Sequence, residues 1–234
     1  MNPNLKYLFY PSLLDKFSAY LNPGKLLDYG KTEDEIEREL LDAINRVPHE
    51  SEAAEKGTAF NNLVDAAINA KNYEDIPMVD GLVHHTSKQG NKYAFQFPVP
   101  LVMDFAEYFK GAASQVFCEG TIETRYGLVG LYGYADEIKG ATVYDIKTTG
   151  NYEFPKYLHS WQRHVYPYCL RQQGVGVEIF EFTVTDFKNT YKEVYTYEPE
   201  KTFIALRSIC TQFIEYIEAR RNVITDKKIF NQHE

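Results

Sequence analysis

The run from Gln115 to Thr148 constrains the fold most. It reads as three strands, Gln115 to Arg125, Leu128 to Ile138 and Thr142 to Thr148, rich in Tyr, Ile, Val and Thr. Helical patterns flank this meander in the sequence, which is what a sheet needs to cover its faces. The spacing predicts helices from about Thr32 to Arg46, with an acidic first turn, and from Glu55 to Asn69. Leu82 to Phe97 reads as a hairpin turning at Lys88-Gln89-Gly90-Asn91, and Pro98 and Pro100 open an amphipathic helix. After the meander come a helix from about Pro155 to Gln173 and strands at Val177 to Thr185 and Tyr191 to Tyr197. The last element is a helix from about Pro199 to Asn222, with Phe203, Leu206, Cys210, Phe213 and Ile217 on one stripe. This order predicts an α/β (α+β) fold, a central mixed sheet flanked by helices, with extra N-terminal helices and a hairpin. No repeat or linker interrupts the 234 residues. They read as a single domain, with a helical N-terminal elaboration over about 1–54, a core over about 55–198 and a C-terminal helix over about 199–223.

Two acids stand where strands disfavour them. Asp competes for nearby backbone hydrogen bonds, yet Asp136 and Asp145 lie inside the second and third strands, with Lys147 just beyond. A two-residue turn at Lys139-Gly140 sets Asp136 opposite Val143 and Tyr134 opposite Asp145. Residues two apart share a face, so Asp136, Asp145 and Lys147 then emerge together. A four-residue loop keeps that parity, and a three-residue loop reverses it. The two aspartates become diagonal neighbours, with backbones roughly 7–8 Å apart. Carboxylates at that spacing can meet on one cation, and magnesium takes oxygen ligands. A lysine beside them suits phosphodiester hydrolysis, where water must be activated and phosphate charge neutralised. The competing reading is a turn flanked by surface acids with a solvated lysine partner. The apolar neighbours Val143, Tyr144 and Ile146 favour a site.

The net charge of −8 argues against holding nucleic acid by bulk attraction, though not against a local basic groove. Cys118, Cys169 and Cys210 are dispersed and form no CxxC pair, so neither zinc nor an iron–sulfur cluster is expected. An odd, scattered set suits a reducing cytoplasm. The N-terminal stretch lacks a continuous apolar run and no segment matches a membrane span, so a cytoplasmic location away from membranes is expected.

The acid-bearing hairpin resembles the PD-(D/E)XK nuclease superfamily in its RecB-like and phage-type exonuclease branch. Gly133-Tyr134-Ala135-Asp136 matches G-x-x-D, and Asp145-Ile146-Lys147 matches D-x-K. Gln162, Tyr166 and Leu170 match a Q-x-x-x-Y-x-x-x-L helix, and Gly57 to Asn61 resembles G-x-x-x-H. The four motifs stand in order between Glu55 and Gln173, roughly half the chain. The resemblance implies a restriction-endonuclease-like core. It also implies that Asp136, Asp145 and the Ile146 carbonyl bind Mg²⁺ or Mn²⁺, that Lys147 positions water, and that Gln162 and Tyr166 orient the site. Asn61 replaces the usual histidine; its amide can bind magnesium but lacks the imidazole's affinity for manganese. Asp65, one turn later, could substitute for it. An acid from the preceding strand is often near the metal, and Glu119 and Glu123 both qualify.

The expected activity is metal-dependent DNA cleavage, as an exonuclease in phage-type recombination or repair. Lys139, Lys156 and Arg163 are candidates to meet the DNA backbone. The resemblance further implies a recombination partner protein and a homo-oligomer. The rival from another class is a catalytically inactive nucleic-acid-binding protein keeping the nuclease fold. A third reading is a hydrolase of small phosphorylated molecules.

Overall fold

The computed structural model describes residues 4–49, 51–69, 78–79, 82–86 and 93–232. It begins with β1 (Leu5–Phe9), α1 (Pro11–Leu21), α2 (Gly24–Asp28), α3 (Glu33–Ile44) and α4 (Glu52–Asn69). A small sheet of β2 (Met78–Val79), β3 (Leu82–Thr86) and β4 (Ala94–Pro98) leads into α5 (Val99–Tyr108). Then come β5 (Ala113–Thr124), β6 (Gly127–Lys139), β7 (Thr142–Thr148), α6 (Gln162–Gln172), β8 (Ile179–Thr185), β9 (Thr190–Thr196) and α7 (Pro199–Ala219). The expected fold class, α+β with a mixed central sheet flanked by helices, is what this shows. Among the described residues no helix is long and apolar enough to cross a membrane. The turn expected at Lys88 to Asn91 lies outside the described residues.

Local chemistry explains several boundaries. Thr32 caps α3 in a complete capping box, its side chain accepting from Glu35 N while the Glu35 carboxylate accepts from Thr32 N. Pro at the first turn opens α1, α5 and α7, where its missing N–H goes unneeded. The helix expected from Pro155 begins only at Gln162. The preceding backbone is taken elsewhere: buried Glu193 accepts the Lys156 and Tyr157 N–H groups, which fixes that stretch as a loop against β9. The N-terminal elaboration expected to be helical over about 1–54 also supplies a strand, because β1 joins the main sheet.

That sheet runs β1-β6-β7-β8-β9, with β5 paired to the other edge of β6. The β1/β6 and β7/β8 pairs are parallel, and the rest are antiparallel. One edge of β6 is covered along its length by β5. The opposite edge is shared: β1 pairs with Leu128 to Leu131, and β7 with Glu137 to Lys139. Between those partners, no strand among the described residues pairs with positions 132–136 of β6 on that edge.

Two hydrophobic cores cover the two faces. The larger gathers α1, α3, α6 and α7 over Val129, Leu131, Ala135, Val143, Phe180, Phe182 and Val184. The smaller packs α4, α5 and β4 around Phe60, Phe97, Phe105, Phe109 and Ile146. Strand β7 therefore alternates as a two-sided buried strand does, Val143 toward the α6 face and Ile146 toward the α4 face. Each fully buried Phe contributes roughly 1.5–3 kcal/mol, so both faces are firmly held.

Candidate active site at the open edge of β6

The β6–β7 hairpin turns at Gly140-Ala141, with Lys139 opposite Thr142 and Glu137 opposite Tyr144. Gly140 takes the first loop position at φ 60°, which a side chain would resist. The expected register is thus displaced, but its parity is kept. Continuing it would set Asp136 directly opposite Asp145 rather than diagonal to it. The paired ladder stops one step short, at Glu137 and Tyr144. In place of the next ladder bond, Asp136 Oδ2 accepts the Ile146 N–H at 2.7 Å. The Asp136 carboxylate fills the gap where the strands part.

Side-chain alternation along β6 also changes here. Val129, Leu131 and Ala135 face the α6 core, yet beyond Asp136 it is Ile138 that packs there and Glu137 that turns to the α4 side. Asp136 stands at the switch and is reached from both faces. From α4, Asn61 Nδ2 approaches Asp136 Oδ2 at 3.5 Å, a weak contact. Helix α4 comes close because Gly57 has no side chain; a Cβ there would sit 2.9 Å from Thr148 Oγ1.

Asp145 and Lys147 share the α6 face, with Lys147 Nζ 2.5 Å from Asp145 Oδ2. The other carboxylate oxygen, Oδ1, accepts from Gln162 Nε2 at 2.5 Å, and the same nitrogen lies 3.3 Å from Tyr166 Oη. Tyr166 packs against Gly133, where a Cβ would come within 2.7 Å of its ring. The glycine of the first motif thus admits the tyrosine of the last. Asp145 is 2% exposed, while the Lys147 side chain is 26% exposed and opens to solvent.

The electrostatics reflect crowded acids. Burial, then the nearby Asp145 charge, push Asp136 up to about 7, against the pull of Lys147 and the Ile146 N–H. Burial raises Asp145 as well, opposed chiefly by Lys147. Burial works against the Lys147 ammonium, but Asp145, Asp136 and Asp15 together raise its pKa. Asn61 Oδ1 is buried with no hydrogen-bond partner, and Asp145 Oδ2 is met only by the lysine. Among the described residues no three His, Cys, Asp or Glu side chains are grouped to hold a metal. A cation here would draw on Asp136, Asp145, Asn61, the Ile146 carbonyl and water. The two crowded carboxylates and the orphaned amide oxygen suit such an ion.

Other expected residues fall elsewhere. Glu119 and Glu123 are exposed and pair across to Tyr132 and Leu128. Asp136 falls opposite Gln115, so the nearer glutamate is four positions, roughly 13 Å, along the strand. Neither is near the aspartates; register decided this, not parity. Asp65 lies close enough for its charge to help raise Asp136, but its hydrogen-bond partners are other groups. It meets Gln115 and Glu137 instead. Lys156 donates to Thr149 Oγ1 and Asn151 O, both at 2.5 Å, and Arg163 lies over the Tyr195 ring. Lys139 stands apart at the hairpin tip, donating to Tyr108 O.

Two acids escaped the sequence reading. Glu137 is fully buried, held by Ser114 Oγ at 2.9 Å, and burial pushes it up to about 8. Its only signal was adjacency to Asp136. Burial pushes Asp15 of α1 up to about 6, against the Trp161 N–H it accepts and the Lys147 charge. Nothing in the sequence near Asp15 marked it.

No family model matches the chain, and no curated protein matches it. Among solved structures, one described as the crystal structure of SSO0001 is similar over 88% of this chain and 76% of that chain. The identity is 11% and the TM-score 0.46, and this likeness carries no argument about function.

Proposed function

We propose that the protein is a metal-dependent deoxyribonuclease of the PD-(D/E)XK type, hydrolysing phosphodiester bonds with Asp136, Asp145 and Lys147. The observation that carries this reading is the meeting of Asp145, Lys147 and Gln162 beside Asp136, where one edge of β6 lies between its β1 and β7 partners. Mg²⁺ or Mn²⁺ bound there would neutralise phosphate charge and make hydroxide available near neutral pH. Asp136 and Asp145 supply the negative charge that holds the ion. Gln162 fixes one Asp145 oxygen and so aims the other. Lys147, partly open to solvent, holds the attacking water or the charge that develops on phosphate. Tyr166 excludes water from beneath Asp145. Exonuclease action in recombination or repair belongs to the same reading, as do DNA as the partner and a cytoplasmic location.

Purified protein given Mg²⁺ or Mn²⁺ and end-labelled linear duplex tests it. Cleavage that disappears in Asp145→Ala and Lys147→Ala is expected. Undiminished cleavage in both variants would overturn the residue assignment. The second reading, a DNA-binding protein without catalysis, is favoured by Asn61 in the histidine position. Binding without cleavage in either metal would establish it instead.

A further inference from the structure

The N-terminal corner of α6 is held from another element. Its N-cap residue, Trp161, makes no side-chain capping bond. Instead Asp15 of α1 accepts the Trp161 N–H on Oδ1 at 2.7 Å and lies 3.4 Å from Ser160 Oγ through Oδ2. Ser18, three residues on, accepts from the Trp161 indole Nε1 at 2.6 Å. Helix α1 is itself anchored, with Phe17 packed on Phe213 and Tyr216 of α7. The residue after Trp161 is Gln162, whose amide grips Asp145. A rigid path thus runs from Asp15 through the helix start to the reactive carboxylate. Asp15 is also within electrostatic reach of Lys147, adding negative charge to that of Asp145 and Asp136. A cap alone needs only an acceptor oxygen, which an amide would supply; a mostly buried carboxylate is a costly choice unless its charge is used.

We propose that Asp15 is a positioning residue for this site, holding Gln162 on Asp145 and keeping a counter-charge beside Lys147. The proposal rests on the reading of Asp136, Asp145 and Lys147 as the metal and water site. Partners one step removed from a metal ligand typically change affinity or activity by about 10–100-fold when lost.

Asp15→Asn keeps an acceptor for Trp161 N and removes the charge, whereas Asp15→Ala removes both. Three readouts apply to the full chain: kcat and KM on end-labelled duplex, Mn²⁺ affinity, and emission of Trp161, the single tryptophan. Asp15→Ala is expected to lower kcat or Mn²⁺ affinity about tenfold at unchanged KM and to shift Trp161 emission. Asp15→Asn is expected to lose about threefold with parental emission and melting temperature. If Asp15→Ala keeps parental kcat and Mn²⁺ affinity while only its melting temperature falls, Asp15 is structural and the proposal is overturned. A rise in KM without loss of kcat overturns it too. Should the parent neither cut nor bind Mn²⁺, and Asp145→Ala match it, the underlying reading has failed and this inference with it.

Discussion

Two pairs of carboxylates, each with one fully buried member, meet at β6, and they are balanced in different ways. On the α6 face, Asp145 is met by the Lys147 ammonium and the Gln162 amide, with Asp136 alongside. On the α4 face, Asp65 and Glu137 meet each other, with only Ser114 and Gln115 as neutral partners. The first pair carries its own positive charge and an opening to solvent. Among the described residues no cation meets the second pair, and its Glu137 is fully buried. Two adjacent carboxylates without a cation hold a proton between them. On the proposed function, the contrast teaches that acid pairing alone does not define a reactive site. A fixed charge, an orienting donor and access to solvent separate the two.

The comparison breaks most visibly through activity. Lys147→Ala or Asp145→Ala should cut the cleavage rate by about a hundredfold or more, measured on linear duplex at saturating Mg²⁺. A loss of similar size in Glu137→Gln would show that the two pairs act as one site.

Next in size is the pH dependence of stability without added metal. Asp136 and Glu137 titrate at about 7 and about 8 when folded, above their ordinary 3.8 and 4.5. The folded state therefore binds more protons than the unfolded chain across that window. Stability contributed by these groups is complete below about pH 4 and is lost as pH rises toward 8. The melting temperature of metal-free protein should fall by several degrees between those limits, roughly 2–4 °C per kcal/mol lost. A flat profile would mean that the acids are not crowded. At pH 8, millimolar Mg²⁺ or Mn²⁺ should recover part of the loss in the parent and not in Asp145→Asn, because an ion that binds only the folded form stabilises it.

A smaller effect sharpens the comparison from the other side. Glu137→Gln no longer has to hold a proton, so at pH 8 it should gain about 1–3 kcal/mol in denaturant unfolding, and it should gain nothing at pH 4. The smallest expected effect is at Glu119 and Glu123. Their conversion to Gln should leave cleavage within about twofold of the parent, as surface substitutions away from a site do.

Much of the architecture was legible in the chain. The strand run Thr142 to Thr148 appears with those limits, and the helix at Glu33–Ile44 carries the acidic first turn that marked it. The spacing of Asp145 and Lys147 placed them on one face, where they form an ion pair. The four-residue interval from Gln162 to Tyr166 likewise put both side chains at one spot. These features depend on neighbours a few residues apart, and short-range sterics and periodicity decide them. The loop before Gln162 was misread as helix because its determinant, Glu193, lies far along the chain. Strand β1 was missed for a related reason. Five residues of mixed character acquire strand structure by pairing with Leu128 to Leu131.

The sequence by itself determined most of the order of elements and two local pairings, Asp145 with Lys147 on one strand face and Gln162 with Tyr166 on one helix face. Only the tertiary structure decided that β1 and β7 share one edge of β6, leaving the gap into which Asp136 turns. It likewise paired Asp65 with Glu137, carried Glu119 and Glu123 away, and brought Asp15 from α1 to the start of α6. The division has one cause. Periodicity and backbone preference act over a few residues, whereas register, strand neighbours and the charges meeting in a buried space are settled by packing segments distant in the chain.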